Sequence, residues 1–240
     1  MKEAAMKLLF DLHTHTVASG HAFSTLKENI EEAKRKGLLA LGTSDHAPAM
    51  EGAPTEKFFK NYRAIGNEIM GVRIFTGVEA NIMDYTGRLD MKESLLCQMD
   101  YVIASLHSAC IHSGSREENT NAIIGAMDCP YVKIIGHPDD DRYPIDREQV
   151  VKAAAEKGVA LEINSASSSP KTGRLNADVN IPDLLRLCKQ YRVHVICGSD
   201  AHIWYDVGNL DASLAYLKKA DFPEELVLNT SMDGLEYVLL

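Results

Sequence analysis

Short apolar runs alternate along the chain with stretches of helical periodicity. The runs cover residues 7–12, 39–43, 73–78, 101–106, 132–136, 159–163 and 193–198, each bounded by polar or glycine-containing segments as strands are. Between them, residues 26–36, 58–70, 117–127, 147–157 and 182–191 carry apolar side chains at helical spacing. Gly37 and Gly158 stand just after two of these helices, where a left-handed C-cap is wanted, and Asp146 precedes another as an N-cap. Strands that are apolar over nearly their whole length are covered on both faces, so the alternation predicts βα units around a parallel sheet. A short run at 226–228 offers an eighth strand, and residues 165–172 read as a loop.

Side chains of one chemical kind recur at the ends of these runs. His13, His15, His21, His46, Glu79, His107, His137, Asp200 and His202 all fall at or beyond the carboxyl end of a predicted strand, and they include seven of the nine histidines. A single histidine in such a place is more often structural than functional. Nine metal-type side chains returned to the same end of strand after strand build one polar site from many loops. His13 and His15 follow the first run and Asp200 and His202 the last, and residues two apart on an extended segment share a face. For both pairs to serve one cluster the first and last strands must be neighbours, which a closed barrel provides. The expected architecture is a TIM-barrel-like α/β fold of seven strands with its site at the carboxyl mouth. His194, six residues before Asp200, belongs to the opposite end of the last strand, and His112 reads as a solvated loop residue.

Composition narrows the setting. The 240 residues contain no internal repeat and no linker-like stretch, which suits one α/β domain spanning 1–240. Residues 1–7 carry an acid and too short an apolar run for a signal peptide, and no later segment approaches a membrane span, so a cytoplasmic protein is expected. Five cysteines without a C-x-x-C pair indicate neither a disulfide framework nor a thiolate zinc site. A formal net charge of −9 disfavours nucleic acid as a partner, because counterion release requires a basic surface. The pattern does not set an oligomeric state; a homodimer and a homotrimer are both compatible with it.

The segments His13-Thr14-His15, Ser44-Asp45-His46, Gly77-Val78-Glu79, Leu106-His107, Gly136-His137 and Gly198-Ser199-Asp200-Ala201-His202, together with His21, resemble the motifs of the PHP (polymerase and histidinol phosphatase) family. The resemblance extends over essentially the whole chain. Residues 11–19, 77–82 and 160–164 make it most similar to the small stand-alone bacterial PHP phosphatases. The resemblance implies a distorted (β/α)7 barrel holding a trinuclear metal centre. Carried over residue by residue, one ion is held by His13, His15, Glu79 and Asp200. A second shares Glu79 and adds His107 and His137, and a third is held by His21, His46 and His202.

Imidazole and carboxylate ligands without thiolate suit Zn²⁺, Mn²⁺ or Fe²⁺, and the resemblance favours zinc. Three divalent cations with the carboxylates of Glu79 and Asp200 leave about 4+ at the centre, a charge that wants a compact anion. A small phosphorylated metabolite fits, hydrolysed as a phosphomonoester by attack of a metal-bound hydroxide. Glu79, Asp200 and His202 are assigned to that chemistry. Arg142, Lys171 and Arg174, in loops after the fifth and sixth runs, are candidates for a phosphate oxygen. Asp45 adjoins His46 but points the other way on an extended strand, and is assigned to substrate or to ligand support. Two other readings stay open: a 3′–5′ exonuclease or phosphodiesterase on nucleic acid, and a non-catalytic metal-binding module. Ligand loss would favour the latter, and no ligand position is lost.

Overall fold

In the computed structural model, which describes residues 6–240, eight strands form one sheet. Most of the amino-terminal stretch weighed above as a signal peptide lies outside those residues. The strands are β1 (Phe10–Asp11), β2 (Ala40–Thr43), β3 (Glu68–Ile69), β4 (Val72–Asn81), β5 (Tyr101–Ser105), β6 (Val132–Ile135), β7 (Ala160–Asn164) and β8 (Val195–Gly198). Seven run parallel in the order β1-β2-β4-β5-β6-β7-β8, while β3 pairs antiparallel with β4 off that path. The sheet curls until its two ends meet. Thr14 forms a parallel bridge with Ala201, with His15 N–H donating to the Ala201 carbonyl at 2.9 Å and Asp200 N–H to the His13 carbonyl at 2.8 Å. Below this bridge the buried Asn229 amide spans the gap. It donates to the carbonyls of Phe10 and Cys197 at 2.9 and 3.0 Å and accepts from Cys197 N–H at 2.7 Å. A barrel of seven strands, distorted where β1 meets β8, is the result.

Alternation along the strands sorts the core into two layers. Phe10, Leu12, Phe75, Tyr101, Ile103, Ile134, Ala160 and Ile196 form one buried cluster inside the barrel, closed at its amino end by Leu228, Leu235 and Val238. The intervening residues Val102, Ala104, Ile135, Leu161, Ile163 and Val195 pack outward against the helices. Tyr101 is the largest interior side chain, and it fits because Gly42 and Gly77 give way to it: a Cβ on either would lie 2.1–2.3 Å from its ring or hydroxyl.

Eight α-helices surround the sheet: α1 (Leu26–Lys36), α2 (Glu56–Lys60), α3 (Glu93–Leu96), α4 (Arg116–Ala126), α5 (Arg147–Lys157), α6 (Ala177–Tyr191), α7 (Asp211–Lys219) and α8 (Gly234–Val238). Local signals fix the ends of α1 and α5 where the sequence predicts them. Thr25 and Glu28 make a capping box, Asp146 accepts from Gln149 N–H, and Gly37 and Gly158 take positive φ after the last turns.

The helix expected over 58–70 does not form as a unit. It breaks into α2, a 3-10 turn at Tyr62–Ala64, and β3. Met70 and Gly71 both have positive φ (56° and 81°), the requirement of a tight hairpin, and they fold β3 back onto β4. The helix expected from residue 182 begins at Ala177 and carries Pro182 inside its second turn. The run at 226–228 contributes a single parallel bridge, Val227 to Val195, and not a full strand. No helix among the described residues is long and apolar enough to cross a membrane.

Candidate metal centre

Strand parity decides which polar side chains reach the interior. On β4, Phe75 faces inward, so Glu79 and Asn81 do too; on β7, Ala160 faces inward, and Glu162 and Asn164 follow. All four lie near the carboxyl ends of their strands, above the apolar filling. The loops after β1, β2, β5, β6 and β8 add His13, His15, His46, His107, His137, Asp200 and His202 around them. Two of these sit on strained backbone: His137 and Asp200 have φ of 33° and 54°, a conformation that costs about 1–3 kcal/mol and persists where the surroundings demand it.

Glu79 is the hub. Its Oε1 lies 3.0 Å from His137 Nε2, 3.1 Å from His107 Nε2 and 3.4 Å from His13 Nε2. Its Oε2 lies 2.8 Å from His46 Nδ1 and 3.4 Å from His15 Nε2. Asp200 Oδ1 approaches His15 Nε2 at 3.2 Å and His13 Nε2 at 3.6 Å. Farther out, His202 Nε2 and His21 Nε2 stand 3.0 Å apart, while His202 Nδ1 faces the Asp200 carbonyl at 3.0 Å and so turns Nε2 toward the cluster. The donor atoms of His13–His15–Asp200, of His15–His46–His202 and of His46–Glu79–His107 each lie within 4.8 Å of one another. Four of the innermost atoms, His13 Nε2, His15 Nε2, His46 Nδ1 and Glu79 Oε2, are buried, and for all their closeness none meets another described residue in hydrogen-bonding geometry. Each such atom costs about 1–3 kcal/mol if nothing satisfies it. A converging set of nitrogen and oxygen donors left unpaired in this way fits divalent cations.

A second ring of side chains orients the first. Glu162 accepts from His13 Nδ1 at 2.7 Å and from His137 N–H at 2.8 Å. Asn81 Oδ1 meets His107 Nδ1 at 2.7 Å. Ser19 Oγ lies 3.1 Å from His15 Nδ1 and donates to Asp45 Oδ1 at 2.7 Å. Fixing one ring nitrogen leaves the other aimed at the centre. Gly198 makes room for this ring, since a Cβ there would fall 2.0 Å from Glu162 Oε1. Glu162, Asn164 and Asn81 do not stand out among the metal-type residues of the sequence, although Glu162 and Asn164 alternate with Leu161 and Ile163 and so carry a signal.

The electrostatics follow from packing acids among imidazoles. Burial alone would raise Glu79, but His107, His13 and His46 outweigh it and hold its carboxyl well below the ordinary range. Asp200 is depressed likewise against burial, by His13 and Arg174. Burial, reinforced by His202 and His46, pushes His15 well below its usual value and keeps a lone pair available. His13 goes the other way: Glu162, Glu79 and Asp200 overcome its burial and raise it. Asp139, buried with both oxygens unpartnered, is pushed up to about 6 by burial, with Arg174 pulling it down.

The centre opens into a cavity of about 910 Å³. His21, His46, Glu79, His107, Asp200 and His202 form its floor, and Lys171 and Arg174 lie in its wall. Arg174 donates to Asp200 Oδ2 at 2.6 Å and to Asn164 Oδ1 at 3.0 Å, leaving its buried Nε unpaired. Arg142 is turned onto Asp140 at 2.7 Å, and Asp45 is buried against Thr16 and Ser19; neither lines the cavity. His112 is exposed and also lies outside it.

The chain is similar to known proteins in sequence and in fold. The family model of the PHP domain matches residues 11–166. A probable phosphatase of Clostridium novyi is 47% identical over 225 residues, covering 94% of this chain and 91% of its own length. Another from Caldanaerobacter subterraneus subsp. tengcongensis is 48% identical over 235 residues, covering 98% and 92%. Among solved structures, a histidinol phosphate phosphatase from Lactococcus lactis subsp. lactis, complexed with zinc, L-histidinol and phosphate, superposes with a TM-score of 0.61 at 20% identity, over 89% of this chain and 94% of that one. At that identity the superposition shows a shared fold.

Proposed function

The chain belongs to the PHP domain family, and from that premise we propose that it is a metal-dependent phosphatase hydrolysing small phosphomonoesters. The observation that carries the reading is the Glu79 carboxylate, with three imidazoles on one oxygen and two on the other. A carboxylate faced from both sides is what a bridge between cations requires. We assign His13, His15, Glu79 and Asp200 to one ion, Glu79, His107 and His137 to a second, and His21, His46 and His202 to a third. Zinc is the first choice, supported by the zinc of the Lactococcus structure, and manganese and iron suit the same donors. When bound, the ions supply an activated water at neutral pH and about 4+ of charge for the phosphoryl oxygens.

The chain's own residues hold that arrangement and receive the ester. Glu162, Asn81 and Ser19 fix the rings of His13, His107 and His15. Arg174, tied to Asp200 with a free Nε, is suited to a phosphate oxygen, and Lys171 shares its wall. The names of the Clostridium and Caldanaerobacter relatives, both probable phosphatases, support phosphatase chemistry. The net charge of −9 favours a compact dianion held at short range over an extended polyanion repelled by the surface.

The test loads the protein with zinc or manganese and combines elemental analysis with phosphate release from a panel of monoesters, beside nucleotide release from a labelled oligonucleotide. About three ions per chain are expected, with monoesters processed faster and inorganic phosphate inhibiting competitively. One ion or fewer, or faster oligonucleotide cleavage indifferent to phosphate, overturns the reading.

A further inference from the structure

Asp139 is a buried acid beside the centre that hydrogen-bonds none of the candidate ligands. It lies two residues beyond His137 in the loop after β6, is 1% exposed, and neither of its oxygens meets another described residue in hydrogen-bonding geometry. The charge that acts on it most strongly is Arg174, and Ser167 stands beside both, accepting from Arg174 Nη1 at 3.3 Å. Three buried carboxylates act in turn on the Arg174 guanidinium: Asp200, Asp139 and Glu162. Asp200 is also assigned to an ion, and Glu162 is committed to His13 Nδ1 and His137 N–H. Asp139 alone of the three has both oxygens free of hydrogen bonds among the described residues.

Its placement beside Arg174 is fixed by the chain around it. The Asp139 carbonyl accepts from Asn180 Nδ2 of α6 at 2.7 Å. Asp140 Oδ1 accepts from Leu175 N–H at 3.1 Å, Asp141 N–H donates to the Leu175 carbonyl at 3.1 Å, and Asn176 Nδ2 donates to Asp141 Oδ2 at 2.8 Å. The loop that carries the acid and the loop that carries the guanidinium are thereby stitched together immediately after Arg174. Arg174 needs such a neighbour. Its side chain is only 8% exposed, and its direct ion pair is with Asp200 Oδ2 at 2.6 Å. The other oxygen of Asp200 faces His13 and His15, the side assigned to an ion. A centre of about 4+ repels the guanidinium, and a buried cation whose partner is shared loses much of what offsets its desolvation. A further negative charge beside it restores the balance.

We propose that Asp139 is a positioning residue for phosphate binding: its carboxylate keeps the Arg174 guanidinium lodged against Asp200 and Asn164 in the cavity wall, where a phosphoryl oxygen can meet it. This rests on the phosphatase reading above. The consequence has a diagnostic sign. By its bare field an acid beside an anion site weakens binding, so neutralising it should tighten the site. Positioning predicts the reverse, because without Asp139 the guanidinium leaves the wall.

Zinc-loaded parent, Asp139→Asn, Arg174→Ala and the double variant are titrated calorimetrically with inorganic phosphate, and KM and kcat are measured on phenyl phosphate. Asp139→Asn is expected to weaken phosphate binding and raise KM on the order of tenfold, with kcat within a few-fold and metal content unchanged. Arg174→Ala should weaken binding at least as much, and on that background the change at Asp139 should cause no further loss. Near-ultraviolet circular dichroism reports whether the variants fold, and Asp139→Ser is a second route to the same loss of charge. Phosphate bound as tightly by Asp139→Asn as by the parent, or more tightly, overturns the proposal. So does an equal loss on both backgrounds, or the loss of a bound ion, which would make Asp139 part of the ion site. If the parent neither binds phosphate nor hydrolyses the ester, the phosphatase reading falls and takes this one with it.

Discussion

The two ends of β8 use histidine in opposite ways. At the amino end, His194 is half-buried with its ring 4.4 Å from that of Tyr237 in α8, beside the apolar closure of Leu228, Leu235 and Val238. At the carboxyl end, within one turn of chain, Asp200 and His202 enter a cluster that leaves buried nitrogens and oxygens unpaired and holds Asp200 at positive φ. One end is built for packing, and the other accepts strain and unsatisfied polar atoms for the sake of chemistry. A side chain's role in this barrel is therefore set by its end of the strand more than by its type.

The contrast breaks most sharply at Glu79. Glu79→Ala removes the carboxylate that faces five imidazoles, and phosphate release should fall on the order of a thousandfold or more, with loss of at least one bound ion per chain. Near-ultraviolet circular dichroism monitors whether the barrel survives. A folded variant that keeps its metal content and its turnover would remove Glu79 from the centre and with it the distinction between the two ends.

A smaller effect is expected one layer out. Glu162 touches no candidate donor atom facing the cavity but holds His13 Nδ1 and His137 N–H. Glu162→Ala should weaken metal affinity and kcat by about 10–100-fold, with Glu162→Gln falling between variant and parent. Metal affinity by competition with a chromogenic chelator reads it. A loss equal to that of Glu79→Ala would place Glu162 among the ligands themselves.

That residue also marks where sequence reading stopped. The nine candidate ligand positions stood out because seven are histidines at the ends of apolar runs, a chemical signal that survives without coordinates. Glu162 and Asn164 were hidden in a run judged apolar as a whole, although their alternation with Leu161 and Ile163 was open to view. The helices Leu26–Lys36 and Arg147–Lys157 were legible to the residue, because their caps lie within the segment. Residues 58–70 were not: the spacing of Phe58, Tyr62, Ile65 and Ile69 imitates a helix, and only pairing with β4 makes β3 out of its end. The support of His15 by Asp45 through Ser19, and the tie of Arg174 to Asp200, join segments whose contact no local pattern announces.

The smallest effect belongs to the other end of β8 and sharpens the contrast by its direction. His194→Ala should leave metal content unchanged and turnover within a few-fold, since the ring meets Tyr237 and not the cavity. Its signature is in stability. Burial, with Arg192 adding to it, lowers the His194 pKa below the ordinary value, so the folded protein favours the neutral ring. The unfolded chain takes up that proton at about pH 6.5, and between this pH and the lower folded value it binds more protons than the native state. Stability of the parent therefore declines as pH falls through this window. The variant lacks this contribution, and the clustered histidines titrate in both proteins and cancel in the difference. Melting temperatures recorded from pH 7.5 to 5.5 should show a shallower decline for His194→Ala than for the parent. Parallel curves would mean that His194 does not titrate between the states, and a loss of turnover as large as that of Glu162→Ala would mean that the amino end of the barrel serves the site after all.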